Sequence, residues 1–286
     1  MLIEKPWPSG IIGLRFAWAT AGTPRVWSGG VLVAIISHAR KFIFVKTHKT
    51  AGTSLEMALS RHCGQSDVIT PFGAEDERLR REVGGIGPQN FYRPLSEYPP
   101  LKRLKLIARR RREYKFGEHH PAWLIRRTVG EEIWNSYFKF AVVRNPYDRC
   151  VSKYFFTRSY FDELKVADFW DRSFDQYLRY FAESINENWV MYTDKDQIIL
   201  DFIVRYEHLE EDLAEVSNRI GLPRNLYEDM KHIRAKGAFR PQRTRGSEAL
   251  NETHRRLVSI LCRKEIEAFG YDGGAAAPQP AGVARA

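Results

Sequence analysis

Cysteine is scarce in this chain of 286 residues. The three cysteines, Cys63, Cys150 and Cys262, lie far apart and form no CxxC pair. An odd number of isolated cysteines argues against a disulfide framework and against a zinc site built on cysteine. We therefore expect the protein to work in a reducing compartment, the cytoplasm, and to hold no metal.

Long apolar runs are also lacking. The longest, residues 29–36, is far shorter than the roughly 20 residues that a membrane-spanning helix needs. Hydrophobic residues nevertheless make up 43% of the chain, which is enough to bury a core. The composition therefore predicts a folded protein with one large or two small α/β domains.

The two ends of the chain lack hydrophobic periodicity. Residues 1–30 are rich in Gly, Pro, Trp and Ala, and residues 273–286 in Gly, Ala and Pro. We predict a disordered leader over residues 1–30, one domain over residues 31–272 and a disordered tail over residues 273–286. A start codon assigned too far upstream would also explain the leader.

Acidic residues are few where basic residues are dense. Eight Lys and Arg lie between Leu101 and Lys115 against Glu113 alone, so this basic segment (residues 101–115) carries +7 of the net charge of +10. Two interpretations stay open: a solvated helix face, or a surface over residues 102–115 that attracts an anionic polymer or an anionic membrane. The second would put a cytoplasmic protein at the inner membrane face.

Strand and helix patterns alternate between the two ends. Short apolar runs predict strands at residues 42–45, 137–144 and 198–206. Capping and stop residues predict helices at residues 54–61, 121–129, 146–156, 209–220 and 248–269. Such alternation is typical of an α/β fold with a central parallel sheet and helices on both faces. In such sheets, ligands bind at the carboxyl ends of the strands.

The first predicted strand leads into a segment that we call the 46–54 loop, with the sequence Lys46-Thr47-His48-Lys49-Thr50-Ala51-Gly52-Thr53-Ser54. Gly52 lets the backbone approach a ligand closely, and the next helix directs free N–H groups at the loop. Hydroxyls and the mobile charge of Lys49 add donors, which favours a bound phosphate or sulfate. A Thr-capped helix start would also explain the pattern. The lysine precedes the glycine, so this is not a Walker A loop.

The second predicted strand ends in Arg144, and Ser152 follows eight positions later. A guanidinium at the carboxyl end of a strand can bind a phosphate through two hydrogen bonds. For the neighbouring Arg149 we favour a salt bridge or a surface role over contact with a ligand.

The two segments together resemble sulfotransferases that depend on PAPS (3′-phosphoadenosine 5′-phosphosulfate). KTHKTAGTS is similar to their 5′-phosphosulfate loop, and YFKFAVVRNPYDRCVSKYFF to their 3′-phosphate segment. The resemblance is closest to the carbohydrate-type group, which includes heparan sulfate 2-O-sulfotransferase, galactose 3-O-sulfotransferases and bacterial members. It implies a three-layer, P-loop-like fold and in-line transfer of a sulfuryl group from PAPS to a hydroxyl of a carbohydrate or glycolipid.

The resemblance also implies roles for single residues. Lys49 would contact the bridging oxygen of the phosphosulfate and stabilise the leaving group, and Arg144 and Ser152 would hold the 3′-phosphate. The family usually needs no metal for the transfer. His48 departs from the Pro of many bacterial relatives and matches galactose 3-O-sulfotransferases, which favours a sugar acceptor. The residues that would line the 5′-phosphosulfate are Thr50, Ala51, Gly52, Thr53 and Ser54.

Sulfuryl transfer also needs a base that takes the proton of the acceptor hydroxyl. His119 and His120 precede a predicted helix, in a region where carbohydrate sulfotransferases carry a histidine. Bacterial relatives often read H-x-x-A there, which favours His119, and Glu118 is a third candidate. A helix-capping or core histidine would explain the pattern as well.

Two other functions compete with this interpretation. A P-loop kinase acting on a small molecule would require a Walker A loop and an Mg²⁺-binding Asp after a strand, and neither is evident. A non-catalytic protein that binds polyanions or nucleic acid would explain the positive charge. It would distribute that charge over several faces with stacking aromatics, so the concentrated charge does not favour nucleic acid as a partner.

Overall fold

The computed structural model describes residues 34–116, 120–163, 173–233 and 249–271. The predicted leader and tail lie outside these ranges, so the division into leader, domain and tail stays a prediction. Within the described ranges, no helix has both the length and the apolar content that crossing a bilayer requires.

The described ranges contain seven strands: β1 (Ala34–Ser37), β2 (Phe42–Val45), β3 (Val68–Ile69), β4 (Phe138–Val143), β5 (Thr193–Asp194), β6 (Gln197–Ile198) and β7 (Phe202–Arg205). Five of them form the central sheet in the order β3-β1-β2-β4-β7, and β5 pairs with β6 in a separate hairpin. Strands β2, β4 and β7 are parallel neighbours, whereas β1 runs antiparallel to β2 and β3. Four residues join β1 to β2, too few for the crossover of a parallel pair.

Helices flank this sheet, so the predicted α/β fold class is confirmed, with a sheet that is mostly rather than wholly parallel. Short 3₁₀ turns lie at Leu95–Glu97 and Tyr206–His208. The described helices are α1 (Gly52–Ser60), α2 (Ala74–Glu82), α3 (Pro100–Ala108), α4 (Ala122–Val129), α5 (Glu131–Ser136), α6 (Pro146–Glu163), α7 (Phe174–Ile185), α8 (Trp189–Tyr192), α9 (Leu209–Arg219), α10 (Leu226–Met230), α11 (Glu252–Leu261) and α12 (Arg263–Phe269).

The core is divided by the sheet because successive strand residues point to opposite faces. Phe42 and Phe44 of β2 pack with α1, α9 and α10 on one face. Ile43 and Val45 pack with α4 and α8 on the other. Both faces are therefore covered, which explains why β2 is apolar at every position.

Two predicted elements were wrong. The predicted strand at residues 198–206 is divided between β6 and β7, because Asp201 leaves the apolar run and pairs through backbone and side chain with the backbone of Lys139. The predicted helix at residues 248–269 breaks at the buried Cys262 into α11 and α12. The break lets α11 pack on α7 while α12 carries Glu265 to Arg149 (2.7 Å). Of the two roles predicted for Arg149, the salt bridge is confirmed and the surface role is wrong, because Arg149 is buried.

Candidate active site

The 46–54 loop connects β2 to α1 and holds two residues in the left-handed backbone region. Lys49 has a φ of 59° and Ala51 a φ of 60°. A residue with a side chain loses about 1 kcal/mol or more in this region, so surrounding contacts must hold the loop in place. Backbone strain of this kind is concentrated at ligand-binding sites.

Asn188 holds the loop through the residue that precedes Lys49. Its side chain accepts a hydrogen bond from the His48 N–H (2.7 Å) and donates one to the His48 carbonyl (3.0 Å). The Thr47 hydroxyl donates to the carbonyl of Val142 in β4. Asn188 is 1% exposed, so both of its bonds are shielded from water. These contacts tie the loop to the sheet and to the start of α8.

The first turn of α1 is open to an anion. Its N-cap residue, Ala51, provides no side-chain hydrogen bond, and the turn contains no acidic residue. With respect to the described residues, the helix therefore presents uncapped N–H groups and the positive end of its dipole. Gly52 is needed for packing here, because a Cβ at this position would lie 2.9 Å from Cγ of Lys46.

The two lysines near the glycine have different surroundings. The Lys46 ammonium lies 3.2 Å from the Glu56 carboxylate, whose other oxygen pairs with Arg80 at 3.0 Å. All three side chains are at most 4% exposed, so the charge of Lys46 is balanced inside the protein. Lys49 is half-buried, and its ammonium lies 4.1 Å from the ring centroid of Phe156. Of these two lysines, Lys49 is the one that a ligand can reach.

Arg144 brings the second sequence motif into contact with the first. Its Nη1 donates to the carbonyl of Lys49 (2.9 Å), and its Nε donates to the Asp148 carboxylate (2.7 Å), which Nη2 also contacts. The guanidinium lies over the ring of Tyr206, 4.1 Å from the centroid. Arg144 is therefore held rigidly at the carboxyl end of β4.

One face of α6 connects Arg144 with Lys49. Asp148, Ser152 and Phe156 are spaced four residues apart, so they form a stripe along the helix, the α6 stripe. Arg144 pairs with Asp148 at one end, and Lys49 lies on Phe156 at the other. Ser152 is half-buried between them, and its hydroxyl bonds to no other residue of the described ranges.

The hydroxyls of the 46–54 loop are engaged to different degrees. The Thr50 hydroxyl lies 2.8 Å from that of Thr47, and the Ser54 hydroxyl donates to the Ile233 carbonyl (2.8 Å). Thr53 is half-buried in the first turn of α1 and forms no side-chain hydrogen bond with the residues that the structure describes. Thr53 can therefore offer its hydroxyl to an anion, whereas the Ser54 proton is committed to the chain.

Of the three base candidates, Glu118 and His119 lie outside the described residues. His120 is half-buried just before α4, and burial lowers its pKa, so the imidazole is neutral at pH 7. Its Nδ1 is buried without a hydrogen-bond partner in the described part of the chain. A neutral imidazole can accept a proton, but the acceptor would have to reach the other ring nitrogen, because Nδ1 is shielded from solvent.

A charged cluster beside His48 was not expected from the sequence. The Glu187 carboxylate lies 3.6 Å from Nε2 of His48 and 2.7 Å from the Lys153 ammonium. Burial lowers the pKa of Lys153, and Glu187 opposes that effect. Glu187 lies 34 residues from Lys153 in the sequence, and Asn188 lies 140 residues from His48. No local sequence pattern therefore indicates either residue.

The described site combines cations, hydroxyls and backbone N–H groups, which suits an anionic ligand, and its carboxylates, Asp148 and Glu187, are each paired with a cation. No group of three or more His, Cys, Asp or Glu in the described ranges is arranged to hold a metal ion. Independence from metal stays a prediction.

Comparison with known proteins identifies similar sequences. Residues 33–272 match a family model described as "Sulfotransferase family". A stretch of 116 residues is 36% identical to an uncharacterized protein of Archaeoglobus fulgidus, and covers 37% of this chain and 86% of that protein. No solved structure matches. The family match spans both the 46–54 loop and the α6 stripe.

Proposed function

The chain belongs to the sulfotransferase family, and from that premise we propose that it transfers a sulfuryl group from PAPS to a hydroxyl of a carbohydrate or glycolipid. The observation that carries this proposal is the contact between Arg144 and the carbonyl of Lys49. It joins two segments that lie far apart in the sequence into one cationic surface at the carboxyl ends of β2 and β4, where parallel sheets bind ligands.

Donor binding uses the two ends of this surface. The 5′-phosphosulfate lies against the first turn of α1 and is lined by Thr50, Ala51, Gly52, Thr53 and Ser54. The uncapped helix start supports this assignment. Arg144 and Ser152 hold the 3′-phosphate. A guanidinium has five N–H donors, and the described residues engage three of them, which leaves two for a phosphate.

Transfer is an in-line displacement at sulfur. The acceptor oxygen forms a bond to sulfur while the bond from sulfur to the bridging oxygen of the donor breaks. Negative charge develops on that oxygen, and Lys49 stabilises it together with the N–H groups of the loop. The acceptor proton passes to a base, for which Glu118, His119 and His120 are the candidates.

The state of His120 supports a role as base, because burial keeps its imidazole neutral at pH 7. The H-x-x-A pattern supports His119 instead. A sugar acceptor is supported by His48, the loop residue that matches galactose 3-O-sulfotransferases. A cytoplasmic location is supported by the three cysteines, which are buried and free.

The test is an assay of transfer from PAPS radiolabelled at sulfur to a panel of sugars, glycolipids and phenols. We expect transfer by the unmodified protein and a loss of at least about 100-fold in Lys49→Ala, because a charge positioned for the transition state is removed. Lys264→Ala is the matched control, since Lys264 is exposed and pairs with Asp196 at the surface. It should retain full activity.

The same assay separates the base candidates and the competing functions. Glu118→Gln, His119→Gln and His120→Gln are compared, and the variant that loses transfer but still binds PAPS identifies the base. Tight binding of ATP without affinity for PAPS would favour a kinase and overturn the proposal. Full transfer by Lys49→Ala would contradict the role of that residue.

A further inference from the structure

Helix α3, in the basic segment, exposes an apolar ridge on the side that faces away from the protein. Leu106 is buried and anchors the helix. Leu101, Leu104 and Ile107 are 85%, 66% and 53% exposed. At about 100° per residue these three lie within an arc of roughly 120°, centred about 160° from Leu106. The ridge therefore points away from the protein and into solvent.

Cations flank the ridge on both sides. The same helical geometry places Arg103 beside Ile107 and Lys105 beside Leu101. Four further cations, Arg109, Arg110, Arg111 and Arg112, are exposed just beyond the end of α3.

The cations nearest the ridge are not neutralised within the described part of the chain. Lys102, on the side of Leu106, pairs with Glu113 at 3.0 Å, and Lys115 pairs with Glu97 at 2.8 Å. Arg103, Lys105 and the four arginines form no ion pair with any described residue. With respect to the described residues, six positive charges therefore remain to meet an external partner.

The combination of ridge and charge selects among anionic partners. A polysaccharide or a nucleic acid would engage the cations but would leave three large apolar side chains in water. The surface of an anionic bilayer satisfies both, because its phosphates attract Lys and Arg while apolar side chains enter the boundary of the acyl chains. Single exposed apolar residues need no explanation, but three aligned between cations do.

We propose that α3 is an interfacial helix that docks this protein on an anionic lipid bilayer, with Leu101, Leu104 and Ile107 inserted and the arginines at the headgroups. The helix is already formed and fixed to the protein. It begins at Pro100, it is anchored by Leu106, and its end is closed by the bond from the Arg111 N–H to the Leu106 carbonyl (2.9 Å). Docking does not depend on the identity of the sulfuryl acceptor.

The experiment is co-sedimentation of the full chain with vesicles of phosphatidylcholine alone or mixed with phosphatidylglycerol. We expect binding to the anionic vesicles and little binding to the neutral ones. The double variant Leu101→Ser/Leu104→Ser keeps every charge and should lower partitioning onto anionic vesicles at least about tenfold. Ile260→Ser is the matched control, because Ile260 is 64% exposed on α11, and it should bind like the unmodified protein.

Elution from a heparin column measures binding to an anionic polymer, which is the alternative to membrane docking. We expect the double serine variant to elute at the same salt concentration as the unmodified protein, because its cations are intact, and thermal unfolding should show that both are equally folded. Failure of the unmodified protein to bind anionic vesicles would overturn the proposal. Equal vesicle binding by the double variant would also overturn it, because the apolar ridge would then contribute nothing to docking.

Discussion

The 46–54 loop and helix α3 are both rich in cations, but the surroundings of those cations differ. In the loop, Lys46 is buried against Glu56, and beside the loop Arg144 is held by Asp148 and by the carbonyl of Lys49. Around α3, the cations beside the ridge are exposed and make no ion pair in the described ranges. The sequence alone shows a higher density of charge in the second region.

The difference shows that charge density does not locate a specific ligand site. Cations fixed by several partners have one geometry, so they can select a ligand by the positions of its anionic groups. Mobile cations on long side chains suit a surface with many equivalent anionic groups. We therefore assign specific donor recognition to the loop and diffuse attraction to α3.

The largest effect should come from breaking the buried ion pair at the loop, compared with breaking an exposed pair at α3. Glu56→Gln removes the charge that Lys46 and Arg80 share in the interior, and we expect the free energy of unfolding to fall by about 3 kcal/mol. Glu113→Gln removes the exposed partner of Lys102 and should change it by less than about 1 kcal/mol. Urea unfolding measures both. Equal losses would erase the contrast between the two regions.

A smaller effect should follow from releasing the loop. Asn188→Ala removes both hydrogen bonds to the backbone of His48, so Lys49 is less well positioned. We expect kcat for sulfuryl transfer to fall roughly tenfold, with less change in KM for PAPS. Asn188→Asp keeps the acceptor of one bond but sets a buried carboxylate oxygen against the His48 carbonyl, so it should lower kcat at least as much as Asn188→Ala. Asn218→Ala, on the exposed face of α9, is the control. An unchanged kcat in Asn188→Ala would show that the loop keeps its conformation without Asn188.

Much of the fold could be predicted because its signals are local. Strands β2 and β4 are short apolar runs, and Asn145 caps α6 by accepting the N–H of Tyr147, as its position before Pro146 predicts. The break at Cys262 could not be predicted, because the helical pattern continues through it. The break accompanies the contact of Glu265 with Arg149, and those two residues lie 116 positions apart in the sequence.

The candidate site divides in the same way. Lys49 and Gly52 are recognisable from the pattern of a strand, a glycine turn and a helix. Asn188, Glu187 and the stacking of Lys49 on Phe156 depend on how distant segments pack, which one sequence does not encode in any short motif. The same reason applies to the hydroxyls of Thr50 and Ser54. The sequence presents them as donors to a ligand, but their hydrogen bonds with Thr47 and Ile233 become visible in the folded chain.

The most direct test of the central claim is the affinity for the 3′-phosphate, because it needs no acceptor. Calorimetry compares 3′-phosphoadenosine 5′-phosphate with adenosine 5′-phosphate, which lacks the 3′-phosphate. We expect the unmodified protein to prefer the former at least about tenfold, and Arg144→Ala to lose that preference. Ser152→Ala, a milder change, should reduce it in part. Equal affinity of the unmodified protein for both nucleotides, or a preference that survives in Arg144→Ala, would contradict the account.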